Sequence, residues 1–96
     1  MSITVKSFLT LRPLTNNQSE IVIDGDLMTI RELLDRLREM FGKELSETMF
    51  EPETQEIRQL FKIIVNGRHY TTLPDKIETV LKDGDVVAIF PPLAGG

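Results

Sequence analysis

Cysteine is absent from this 96-residue chain. Its absence excludes disulfides, thiolate metal sites and a cysteine nucleophile supplied by the chain itself. There is one histidine, His69. A lone histidine with no triad partner and no metal-ligand spacing is a poor catalyst. By its position at the margin of a sheet, it is instead a candidate contact residue. Basic charge is also short: 11 Lys and Arg stand against 15 Asp and Glu, for a net charge of -4. A nucleic-acid partner demands a basic patch, so none is expected. The basic residues are scattered, and no polybasic segment suited to a membrane surface stands out. No apolar run approaches the roughly 20 residues needed to cross a bilayer. The N-terminal MSITVKSFL lacks the charged and apolar regions of a secretory signal. These absences lead us to expect a cytoplasmic protein.

What is present is patterned for a small single domain. Ile3-Thr4-Val5-Lys6 alternates apolar and polar, and the run reads as a first strand extending to Phe8 and Leu9. Pro13 and the polar stretch 15–19 break it. Glu20–Asp24 reads as a second strand, joined by a connection too short for a crossover and therefore antiparallel. Thr29-Ile30-Arg31-Glu32 fits a capping box. Behind it, Ile30, Leu33, Leu34, Leu37 and Phe41 share one helical face, and Gly42 suits the end. Residues 43–50 read as one or two irregular helical turns, and 51–59 as a charged, mobile connection. Leu60–Val65 reads as a third strand, Asn66-Gly67 as a hairpin turn, and His69–Thr72 as the return strand. Pro74–Leu81 reads as holding one helical turn. Val86–Phe90, almost wholly apolar, reads as a central last strand, stopped by Pro91-Pro92.

One good helix with apolar residues on one face needs a sheet to cover it. The order β-β-α-β-β-β, with the last strand laid parallel beside the first, predicts an α+β fold of the β-grasp, ubiquitin-like type. About five strands in a mixed sheet would clasp one main helix. The expected division is a domain over 1–92 and an extended tail over 93–96. Alternation turns Phe8, Ile64 and Phe90 to the open face of the sheet, away from the helix. Contiguous exposed apolar side chains mark interfaces. The glutamates at 44, 47, 51, 53 and 56 read as a solvated face, and no metal or cofactor site is expected in the chain.

The stretch LKDGDVVAIFPPLAGG resembles the C-terminus of the small subunit of molybdopterin synthase, within the MoaD/ThiS family of ubiquitin-like sulfur carriers. That family ends on a "DGDEVAFFPP" strand followed by an apolar residue, a small residue and Gly-Gly. Val65-Asn66-Gly67, and Phe8 followed four positions later by Arg12, add to the likeness. The resemblance implies that the carboxylate of Gly96 is adenylated by a ubiquitin-activating-type enzyme using ATP. Sulfur from a separate donor then replaces AMP to leave a thiocarboxylate, and the synthase large subunit uses it to build molybdopterin. The chain would be a co-substrate and small subunit, not an enzyme on its own.

Elementary chemistry fits this ending. A carboxylate is a poor electrophile until its oxygen is made a good leaving group. Gly95 and Gly96 lack a Cβ, so the backbone can thread a narrow site on another protein. Pro91 and Pro92 hold the preceding segment extended at little ordering cost. Leu93 would serve as an apolar anchor, and Ala94 would keep the channel mouth clear. Phe8, Arg12, Ile64, His69 and Phe90 are the expected partner contacts. Thiazole synthesis, transfer-RNA thiolation and conjugation of Gly96 to lysines as a ubiquitin-like modifier share the same activation step. A passive interaction module using the open face is a further alternative.

Overall fold

The computed structural model describes residues 1–92. Five strands and two α-helices form in the order β1 (Ser2–Ser7), β2 (Glu20–Asp24), α1 (Ile30–Phe41), α2 (Lys43–Met49), β3 (Lys62–Val65), β4 (Arg68–His69) and β5 (Val86–Phe90). The sheet order is β2-β1-β5-β3-β4. β1 and β5 run parallel from Thr4–Val86 to Ser7–Ile89, and the other neighbours are antiparallel. This is the mixed β-grasp sheet that the element order predicts, with the apolar β5 at its centre.

α1 starts where its sequence says it should. Glu32 N–H donates to Thr29 Oγ1 at 3.1 Å, and Thr29 N–H donates to Glu32 Oε1 at 2.9 Å, which satisfies two otherwise orphaned donors. Ile30, Leu33, Leu34 and Leu37 of α1 are all buried. They pack into one core with Ile3, Val5, Ile63, Val87 and Ile89, the inward residues of the central strands. The strand residues between these are only partly buried or exposed, as strict alternation requires.

Two polar devices set the strand register. Asn66 and Gly67 both have positive φ, at 49° and 86°, the pairing a two-residue type I′ hairpin needs. The Asn66 side chain then reaches across to β5. Its Nδ2 donates to Asp85 Oδ1 at 2.9 Å, and its Oδ1 accepts from Val86 N–H at 2.9 Å. In the Asp83-Gly84-Asp85 turn, Gly84 takes φ 87°. Gly84 N–H donates to Ser2 O, and Ser2 N–H donates to Asp83 Oδ1, each at 2.8 Å. One turn thereby pins the start of β5 to β1 and to the β3–β4 hairpin.

Three boundaries and one connection depart from expectation. β1 stops at Ser7, because Leu9 takes φ 54° and Leu9–Thr15 winds as 3-10 helix through Pro13. The buried Thr15 hydroxyl lies 3.2 Å from Ser7 Oγ and close to the carbonyls of Arg12 and Gln18, which ties this segment beneath β1. β3 begins at Lys62, two residues late, with Leu60 exposed and Phe61 buried. β4 ends at His69, and Tyr70–Thr72 is 3-10 helix instead of return strand. The 51–59 connection is a bonded loop. Phe50 bridges Ile57, Arg58 N–H donates to Met49 O at 2.8 Å, and Arg38 binds both Ser46 and Gln55. Among the described residues no helix is long and apolar enough to cross a membrane.

Leu33→Ala should cost about 2–5 kcal/mol, because it opens a cavity against β-sheet neighbours that cannot collapse. Leu60→Ser, at a residue 70% exposed, should stay within about 0.5 kcal/mol. Urea denaturation of both variants checks the contrast.

Candidate functional site

The open face of the sheet is built by register. Lys6 sits beside Ala88, Ala88 beside Ile64, and Ile64 beside His69, which forms one row across four strands. The next row carries Phe90 and Lys62. Because β1 and β5 are parallel and end together, Phe8 arrives beside Phe90. The two rings stack with centroids 4.4 Å apart and an interplanar angle of 10°. Phe8, Ile64, Ala88 and Phe90 are each half-buried. The expected residues thus share the face, Phe8 stacked on Phe90 and Ala88 beside Ile64, but partly covered rather than fully exposed.

The two other expected contacts, His69 and Arg12, lie at the margin of this face or beyond it. His69 adjoins the patch through Ile64, but its Nδ1 accepts from Thr71 N–H at 3.2 Å and lies 2.8 Å from Thr71 Oγ1. Its ring lies against Tyr70, with centroids 5.2 Å apart. It serves first as the cap of the Tyr70–Thr72 turn, with no carboxylate partner among the described residues. Arg12 is exposed in the 3-10 segment, and its guanidinium makes no hydrogen bond or ion pair among the described residues. Register also brings Lys6 and Lys62 to this face. They flank the aromatic pair, and Glu20 lies opposite Lys6 where the face meets β2.

Past β5, Pro91 is buried and Pro92 half-buried. The domain surface therefore keeps hold of the chain one residue beyond the strand. Leu93, Ala94, Gly95 and Gly96 lie outside the described residues.

The opposite side holds a cleft of about 570 Å³ between α1 and the Tyr70–Ile77 segment, lined in part by Leu34, Phe50, Ile57 and Ile77. Two of its cations, Arg31 and Arg38, are already engaged. Arg31 Nε donates to Glu78 at 2.7 Å, and that hydrogen bond, opposed by partial desolvation and aided by the Glu78 charge, raises the pKa of the guanidinium above its ordinary value. Arg38 lies over the Phe50 ring at 4.2 Å and pairs with Asp35. Among the described residues no three His, Asp or Glu side chains converge as metal ligands.

A mixed sheet in this strand order, one helix across its inner face and an apolar open face define a ubiquitin-like β-grasp protein. The chain belongs to the ThiS family, whose model matches residues 5–96. It is 32% identical over 84 residues to a protein of Archaeoglobus fulgidus named as a sulfur carrier, covering 88% of this chain and 92% of that one. The solution structure of small archaeal modifier protein 1 from Methanosarcina acetivorans matches with a TM-score of 0.84 and 27% identity, covering 99% of this chain and 96% of that one. A Pyrococcus furiosus structure named as subunit 1 of a molybdopterin converting factor matches with a TM-score of 0.73 and 28% identity, covering 97% and 99%. The chain is therefore a member of a family of small sulfur carriers and ubiquitin-like modifiers.

The Phe8–Phe90 stack should be energetically coupled. A double-mutant cycle with Phe8→Ala and Phe90→Ala, read by urea denaturation, should give an interaction of about 0.5–1.5 kcal/mol. Strict additivity would mean the rings contribute only their separate burial.

Proposed function

We propose that this protein is a sulfur carrier whose reactive group is the carboxylate of Gly96. The observation that carries the reading is the segment Phe90-Pro91-Pro92-Leu93-Ala94-Gly95-Gly96 continuing directly from the central strand of a ThiS family member. In this reading a ubiquitin-activating-type enzyme binds the open face through Phe8, Ile64 and Phe90, with His69, Arg12, Lys6 and Lys62 at its margin. The Gly96 carboxylate oxygen attacks the α-phosphorus of ATP and expels pyrophosphate. A hydrosulfide equivalent from a separate donor adds to the acyl carbon and AMP departs, leaving the thiocarboxylate.

The chain supplies no acid or base to these steps. It supplies a carbonyl that no Cβ shields, held at the end of a stiff lead-in. Domain residues 1–92 act as the handle and 93–96 as the inserted part. ATP belongs to the activating enzyme, and the chain binds no cofactor of its own in this scheme. We assign molybdopterin synthesis as the destination, with the large synthase subunit as acceptor. The Phe-Pro-Pro lead-in supports it, as does the name carried by the Pyrococcus relative. A second reading, conjugation of Gly96 to lysines of target proteins, draws support from the name of the Methanosarcina relative.

The absence of cysteine makes the test direct. The protein, with a free C-terminus, is purified from cells containing its activating enzyme, treated with a thiol alkylator and weighed intact. A single alkylation that maps to Gly96 is the expected result. Unmodified protein accompanied by Gly96–lysine conjugates would transfer the assignment to the modifier reading. Neither product in the presence of a competent activating enzyme would overturn both.

A further inference from the structure

Among the described residues the β2 edge of the sheet has no neighbour, since β2 pairs with β1 alone. Its ladder has a defined phase. Ser7 N–H donates to Ser19 O and Gly25 N–H to Met1 O, each at 3.0 Å, while Thr4 N–H turns the other way, to Asp85 O at 3.0 Å. Bonded and non-bonded pairs alternate along an antiparallel ladder. Ile21 and Ile23 therefore exchange their bonds with β1. Glu20, Val22 and Asp24 direct N–H and C=O groups outward, and among the described residues only the Asp24 carbonyl has a partner there, Arg36 Nη2 at 3.3 Å.

Such an edge is a template for another extended chain. It also carries apolar surface, since Val22 is 59% exposed and Leu27, three residues past the strand, 72% exposed. A groove of about 320 Å³ beside the edge is lined by residues of the 26–28 segment and of α1, among them Asp26, Glu32, Arg36 and Glu39.

Charge decides what fits. A second copy pairing antiparallel about Val22 would set Glu20 opposite Asp24 twice over, and like charges directly opposed destabilise a ladder. Self-pairing is thus disfavoured, while a cationic strand gains at the same positions. Glu20, Asp24, Asp26 and Glu39 make no ion pair among the described residues. We propose that the β2 edge receives an extended basic segment of a partner protein as a sixth strand. That segment carries lysine or arginine opposite Glu20 and Asp24 and an apolar residue opposite Val22. The side chains of Glu20 and Val22 border the open face, opposite Lys6 and Thr4, but the free ladder runs along the β2 edge and does not depend on Gly96.

The test is a titration of the isotope-labelled protein with the acetylated, amidated peptide Thr-Lys-Thr-Val-Thr-Lys-Thr, followed by amide chemical shifts. Shifts should concentrate at Glu20, Val22 and Asp24. Val22→Pro removes an outward N–H without touching the bonds to β1, a change edge strands tolerate, and should weaken binding at least about tenfold, roughly 1.4 kcal/mol. Should that variant not fold, Glu20→Lys serves in its place and should shift preference towards the same peptide with glutamate for lysine. The proposal is overturned by any of four results: no shifts, shifts confined to other surfaces, equal binding of the glutamate peptide by the unaltered protein, or undiminished binding to a folded Val22→Pro variant. A concentration-dependent dimer perturbing the same three amides would overturn it in favour of a second copy.

Discussion

β1 and β5 lie side by side in parallel, from Thr4–Val86 to Ser7–Ile89, although nearly the whole chain separates them. A parallel pair demands a crossover, and here everything between the two strands serves as that crossover. The pairing fixes two directions at once. Both strands finish at the same end of the sheet, so Phe8 and Phe90 meet there. The chain then leaves from beside that aromatic pair, with Pro91 still buried. The Asp83-Gly84-Asp85 turn and the Asn66 side chain hold the other end in register. A slip of one residue at either point would turn every side chain of β5 to the wrong face.

Alternation then divides the labour. Inward residues of the central strands, Val5, Ile63, Val87 and Ile89, join Leu33, Leu34 and Leu37 of α1 in the core and supply the stability. Outward residues of the same strands, with Phe8, build the half-buried face that we assign to recognition. Charge is distributed unevenly. Lys6 and Lys62 flank the aromatic pair on the open face, while Glu20 and Asp24 border that face along β2 and Asp26, Glu32 and Glu39 gather near the same edge. One small domain can thereby offer two surfaces of different chemistry, one beside its tail and one along a free strand.

The parts legible in the sequence were those carried by strong local signals. The capping box and the spacing of Ile30, Leu33, Leu34 and Leu37 located α1, Asn66-Gly67 located the hairpin, and period-two alternation brought Phe8, Ile64 and Phe90 to one face. What escaped depended on distant partners. Strand propensity runs through Phe8 and Leu9, but the buried Ser7–Thr15 contact bends the chain into a 3-10 turn. The polar composition of 51–59 reads as mobile, yet Arg38 reaches over from α1 to bind Gln55 and the Phe50–Ile57 bridge closes the loop. His69 reads as a contact residue, and the capping of the following turn by its ring nitrogen carries no local sequence signal. The register role of Asp83, Asp85 and Asn66 lies in contacts between segments far apart in sequence, so the motif could be matched before its purpose could be seen.

The central claim is that the folded domain and its chain end are presented together for the proposed activation. ATP–pyrophosphate exchange by a ubiquitin-activating-type enzyme measures this directly, with the whole protein compared against the isolated heptapeptide of residues 90–96. If the open face contributes binding, the protein should support exchange at concentrations at least about tenfold below the peptide, a difference of roughly 1.4 kcal/mol. Equal potency of the two would contradict the account, because the fold would then add nothing to the sequence of its own tail.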